Sequence, residues 1–186
     1  FSAWTAEERG LLGSEYYADH PWLPLETTVA NFTMDVLQPN GLARDVVLVG
    51  AGQNELESLL TQKAAGQGRV VTPDAKPERG LAFRADHFPF ARRGVPALLL
   101  MGMGGGHDLV NGGREAGDRW VADFTGKCYH QACDRWSESW DLRGAAQDVT
   151  LIYQMASQLA NSRAWPQWNP GNEFKAVRDS TVAQRK

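Results

Sequence analysis

From Val95 to Met101 the chain reads Val-Pro-Ala-Leu-Leu-Leu-Met, an almost unbroken apolar run closed by Gly102. An amphipathic strand alternates apolar and polar residues, whereas a strand covered on both faces does not need to. The run therefore predicts a central strand with helices above and below, which is the layered α/β arrangement. Even extended to Met103 it falls far short of the ~20 residues that cross a bilayer as a helix.

The flanking sequence supplies the other layers. Val29–Met34 predicts a strand closed by Asp35, Asp45–Val49 a second, and Gly68–Val71 a short third. Asn54 with Glu57 three residues on forms a capping box for a helix carrying Leu56, Leu59 and Leu60, closed by Gly66. Thr5 with Glu8 predicts another capping box, for a helix from Arg9 to His20 that Pro21 stops. Pro89 suits the first turn of a short helix ending at Arg93. A long helix is expected from Gly144 to Asn161, with Val149, Ile152, Tyr153, Ala156 and Leu159 on its inner face. Gly102–Gly113 is expected to be a flexible loop. It fails the dinucleotide fingerprint because His107 stands where the third glycine belongs, and it lacks a P-loop lysine. Trp120, Trp136, Trp140, Trp165 and Trp168 are expected to anchor an apolar contact, and His20 to lie at the surface. Residues 177–186 read as a mobile polar tail.

The 186 residues include 42% apolar and 22% charged side chains, enough for a sizeable core and unlike a disordered chain. A net charge of −3 gives no basic footprint, so neither nucleic acid nor an anionic membrane surface is an expected partner. Phe1–Trp4 reads as the end of a strand, with no signal peptide before it. The expectation is a portion of a longer catalytic domain.

Several residues carry reactive groups. Glu7 and Glu8 either cap a helix or divide labour, one on a metal and the other taking a proton from water. Asp35 is either a turn residue or a ligand at the carboxyl end of a strand, where open α/β sheets gather their ligands. Asp86 is either the cap of the Pro89 helix or, with His87, part of a site. Cys128, His130, Cys133 and Asp134 contain four donor groups, but no second Cys or His pair lies nearby to close a zinc knuckle. A Cys128–Cys133 disulfide fixing the loop around His130 is the better expectation, and it implies an oxidising compartment.

Taken in order, Thr5-Ala6-Glu7-Glu8-Arg9-Gly10-Leu11-Leu12-Gly13-Ser14, Phe32–Asp35, Phe83–Phe90, Tyr129-His130-Gln131 and Trp140-Asp141-Leu142 resemble the zinc exopeptidases of metallopeptidase family 28, the leucine-aminopeptidase-like di-zinc enzymes. The resemblance implies a three-layer α/β/α sandwich on a mixed, mostly parallel sheet with its N-terminal strands missing. It implies Glu7 as general base and Tyr129 as oxyanion donor, with Glu8, Asp35 and His130 as metal ligands. Asp86, His87 and Asp134 are then expected to bind substrate or support the ligands. Residues 1–176 become the C-terminal portion of a catalytic domain.

The resemblance also implies zinc, two ions per complete site and one or none here, because the family's His-x-Asp motif and bridging aspartate lie upstream of the glutamate pair. The expected activity is release of N-terminal residues from peptides, in a secreted or periplasmic enzyme. The 186 residues alone are expected to be inactive and to self-associate or bind the missing N-terminal portion. Ala85 departs from the serine usual before the Asp-His pair. Two rival expectations are a glutaminyl cyclase of the same fold and a non-catalytic binding domain of the receptor-ectodomain type. Tyr129 before His130 and the Gly-Leu-Leu-Gly-Ser string favour the peptidase over the cyclase. The intact acids and His130 argue against a mere binding module.

Overall fold

The structure is a computed structural model that describes residues 1–185. Its sheet has four strands: β1 (Asn31–Asp35), β2 (Asp45–Val49), β3 (Val70–Pro73) and β4 (Ala97–Met101), in the order β1-β4-β2-β3. The apolar run does occupy an interior position. β4 pairs in parallel with β1 from Asn31↔Ala97 to Asp35↔Met101, and antiparallel with β2 at Leu48↔Leu100. β2 and β3 are parallel, so the sheet is mixed and mostly parallel.

Side chains two apart on a strand share a face. Val46, Leu48, Leu98 and Leu100 thus pack against helices α2 (Leu56–Gly66) and α5 (Arg143–Ala160) in one core cluster. Val49, Leu99 and Met101 form the opposite cluster with Leu81, Ala85, Met103 and Phe124. That side also carries α1 (Leu12–Asp19), α3 (Phe88–Arg92) and α4 (Gly113–Lys127). The result is the expected α/β/α sandwich. The α2 capping box forms: Leu56 N donates to Asn54 Oδ1 at 3.1 Å, and Asn54 N to Glu57 Oε1 at 3.1 Å.

Several expectations need correction. No helix starts at Arg9: Glu7–Arg9 is a 3-10 turn, and α1 begins only at Leu12 after left-handed residues at Gly10 and Leu11. No side chain caps either element, so Thr5 and Glu8 do not form a capping box. The inner face of α5 is Asp148, Leu151, Ile152 and Met155, whereas Val149 and Tyr153 are exposed. Asp148 reaches the core because buried Arg69 meets it at 2.6 Å, a polar pair that hides the helical stripe from a hydrophobic pattern.

The Gly-rich stretch is buried from Gly102 to Gly106. A Cβ on Gly106 would collide with the backbone of Gly117 and Asp118, so the residue serves close packing against α4 rather than looseness. Of the five tryptophans only Trp168 is buried; Trp136 and Trp140 are exposed. Helix α6 (Lys175–Ser180) runs into the polar stretch 177–186, and its buried Arg178 donates to the carbonyls of Thr28 and Val29 at 2.9 and 3.1 Å. Among the described residues no helix is long and apolar enough to cross a membrane.

Candidate active site

Glu7 and Glu8 owe their placement to two chain reversals. Ala6, at φ 55°, and Gly10, at φ 95°, bracket the 3-10 turn that carries them. Gly13 then folds back on Thr5, with its N–H donating to Thr5 O at 3.0 Å. A Cβ there would stand 2.6 Å from the same oxygen, which accounts for the small residue in Leu12-Gly13-Ser14. The pair projects from this turn into an open cavity of about 690 Å³, lined also by Phe83, Arg84, Phe88 and His130.

His130 arrives from the loop that follows α4. The Cys128–Cys133 disulfide closes that loop with a Cα–Cα distance of 5.2 Å, as expected from the sequence. His130 itself is left-handed at φ 60°, and its ring lies 3.8 Å from that of Tyr129. Its Nε2 meets Glu8 Oε1 at 2.8 Å. This contact joins two of the expected ligands across 122 positions of sequence (130 − 8).

Asp35 closes β1 opposite Met101, at the carboxyl end of the strand. Burial pushes its pKa up, and the charges of Asp86 and Glu8 add to that, while the Val36 N–H opposes. Glu7 is raised likewise, first by burial and then by Glu8, Asp35 and Asp86, with only His130 acting in the other direction. Four carboxylates thus share one field. Asp86 is held there by buried Ser14, whose Oγ donates to Asp86 Oδ1 at 2.6 Å. It therefore does not cap α3, which has no side-chain cap. Burial also raises the Tyr129 pKa, opposed by Arg84 and aided by the three acids Glu8, Asp35 and Glu7, so the hydroxyl keeps its proton as a donor.

Two expected residues stand apart. His87 is buried among apolar walls, in a separate cavity of about 160 Å³ with Trp168 and Phe174. Burial lowers its pKa to about 4, opposed by a hydrogen bond with the Ala82 backbone, and its Nδ1 has no partner among the described residues. Asp134 is exposed; its amide N–H donates to Gln131 O at 3.0 Å within the disulfide loop. Ser14 and Arg84 join the site without any expectation from sequence. Ser14 sits in the Gly-Leu-Leu-Gly-Ser string, but its contact spans 72 positions and needs the fold to be seen.

Glu8 and His130 offer oxygen and nitrogen donors of the kinds that zinc binds. Their chemistry fits; their number does not close a tetrahedral site. Among the described residues no three His, Cys, Asp or Glu side chains are gathered closely enough to hold a metal ion.

No curated protein matches this chain. The family description that its sequence does match is Peptidase family M28, over residues 1–154. That span contains Glu7, Glu8, Asp35, Asp86, Tyr129 and His130. The chain belongs to peptidase family M28.

Proposed function

We propose that the chain is the C-terminal portion of the catalytic domain of a zinc-dependent aminopeptidase that removes N-terminal residues from peptides. The observation that carries this reading is the Glu8–His130 contact beside Glu7, a carboxyl whose pKa is raised by burial and by its acidic neighbours. Glu8 and His130 would hold one ion, and Asp35 would serve a second. Bound zinc polarises the scissile carbonyl and makes water acidic enough to be deprotonated near neutral pH.

The chain's own residues do the rest. Glu7 takes the proton from water and passes it to the leaving amine, a role that suits a carboxyl whose pKa lies above the ordinary value. The Tyr129 hydroxyl donates to the oxygen on which negative charge develops. Asp86, fixed by Ser14, adds negative charge beside Glu7 and Asp35. Because these residues supply only two converging donors, the 186-residue chain alone hydrolyses little or nothing. Its partner is a peptide with a free N-terminus, and the disulfide suits a secreted or periplasmic setting.

Zinc content by elemental analysis tests the reading. Zinc retained by the wild-type chain is expected to be lost in His130→Ala; equal bound zinc in both would overturn the ligand assignment. Hydrolysis of an aminoacyl chromogenic substrate by the isolated chain, lost in Glu7→Gln, would overturn the claim of inactivity. Cyclisation of an N-terminal glutamine peptide without release of a residue would establish the cyclase instead.

A further inference from the structure

The cavity around His87 is a second concave site, and nothing in the chemistry at Glu7, Glu8 and His130 uses it. Its space of about 160 Å³ exists because part of its lining is small: Gly50, Ala82, Ala91 and Ala97. Voids larger than a water molecule are few in a packed domain, and one of roughly 150 Å³ can hold a benzene ring.

Four rings form other walls. Phe83 meets Phe88 edge to face at 5.3 Å, Phe88 meets Phe174 at 6.1 Å, and Phe174 meets Trp168 at 5.3 Å. The Trp168 indole is itself fixed, its Nε1 donating to Gly94 O at 2.9 Å. The mouth is a loop tied to a turn. Asn172 Nδ2 donates to Gln53 Oε1 at 2.6 Å, Asn169 Nδ2 to Gly52 O at 3.0 Å, and Asn169 N to Gln53 O at 2.8 Å. These bonds set the exposed side chains of Gln53 and Glu173 at the rim. Trp168, Glu173 and Phe174 lie beyond the 1–154 span of the family match, so this wall is built from residues outside it.

Charge decides what the cavity takes. Glu173 is the only Asp, Glu, Lys or Arg in its lining. Lys175, two residues on, is paired with Asp179 at 3.0 Å, which leaves Glu173 without a cation among the described residues. His87 does not oppose a cation, because burial lowers its pKa to about 4 and keeps the imidazole neutral at pH 7. Aromatic faces attract a cation, the more so where water is excluded. A ring-sized apolar interior under a free carboxylate therefore matches an amine with one apolar group.

We propose that this cavity binds a small primary amine carrying one aromatic or branched apolar group, its ammonium at Glu173 and its apolar end among Phe88, Trp168 and Phe174. Phe83 and Phe88 also line the cavity at Glu7 and Glu8, so they form the partition between the two places. The proposal does not depend on the peptidase reading.

NMR titration of the full chain with benzylamine and with benzyl alcohol, which has nearly the same shape and no charge, tests it. Both are expected to shift the Trp168 indole N–H resonance, assigned by its loss in Trp168→Phe, and benzylamine to bind about 5-fold more tightly. Glu173→Gln should bring that ratio to one while benzyl alcohol binds as before. Ala82→Leu, which fills the space, should abolish binding of both with unchanged circular dichroism. Glu8→Gln should leave benzylamine binding intact. Binding lost in Glu8→Gln would place the amine among the acids of the other cavity and overturn the proposal. Absence of binding to the wild-type chain, equal affinities there, a preference that survives Glu173→Gln, or binding that survives Ala82→Leu would overturn it too. Failure of the peptidase reading would move none of these readouts.

Discussion

Two sets of carboxylates in this molecule live under opposite conditions. Asp45, at the start of β2, is fully buried, yet it accepts from Thr72 Oγ1 and the Asp108 amide at 2.8 Å each and forms an ion pair with the Arg114 guanidinium at 2.7 Å. His107 Nδ1 stands 3.5 Å off, an electrostatic neighbour. Burial pushes the Asp45 pKa up, but His107, Thr72 and the Asp108 amide more than offset it and hold the group well below the carboxylate range. Glu7 and Asp35 lack such a set of donors, and their neighbours are acids that push them upward. A carboxylate whose donors the fold supplies is a structural element. Carboxylates left facing one another await a cation from outside, which is what a metal or a substrate's ammonium group provides.

The sharpest way to break this contrast is to remove each kind of acid. Asp45→Ala should lose at least about 3 kcal/mol in urea denaturation, because it strands buried donors. Asp35→Asn should cost nothing or gain a few tenths, by relieving repulsion. Equal losses would erase the distinction.

The acid limb of the stability curve gives an effect of similar size. The unfolded chain protonates its histidines near pH 6.5, whereas folded His87 takes a proton only near pH 4. The unfolded state therefore binds more protons between those values, and stability must fall as the pH drops through that window. The loss should total about 3 kcal/mol, since each pH unit separating the two states is worth about 1.36 kcal/mol. His87→Phe should flatten it.

Reduction of Cys128–Cys133 should cost about 2 kcal/mol of thermal stability, as expected for so short a closed loop. Zinc at ~10 times its dissociation constant should stabilise the wild-type chain by about 1.4 kcal/mol and leave Glu8→Gln unmoved. If Glu8→Gln responded equally, the acidic cluster would not be where the cation sits.

Elements whose signal is local are legible in the sequence. β2, β4 and the Asn54–Glu57 start of α2 follow from runs of a few residues. α4 is less legible, because from Gly113 to Lys127 it fully buries only Gly117, while Trp120, Val121 and Phe124 on the same face are only half-buried. The start of α1 is misleading because Thr5 and Glu8 match a capping pattern, while the positive φ at Leu11 that interrupts it has no sequence signature. Of the site, Glu7, Glu8, Asp35, Tyr129 and His130 stand out through ordered strings, and only the fold supplies their geometry. His87 and Asp134 join them by adjacency in sequence alone, and a neighbour in the chain can point into a different cavity.

Among the described residues the four non-glycine positions with positive φ, Ala6, Leu11, Val36 and His130, all border the gathered acids. A left-handed backbone costs a side-chain-bearing residue roughly 1–2 kcal/mol, which glycine would spare. Ala6→Gly and Leu11→Gly are thus the substitutions that selection for stability alone would favour. Their absence marks the turn around Glu7 and Glu8 as a place where rigidity outranks robustness, and where a thermostabilised variant would trade away the fixed spacing between the acids and His130.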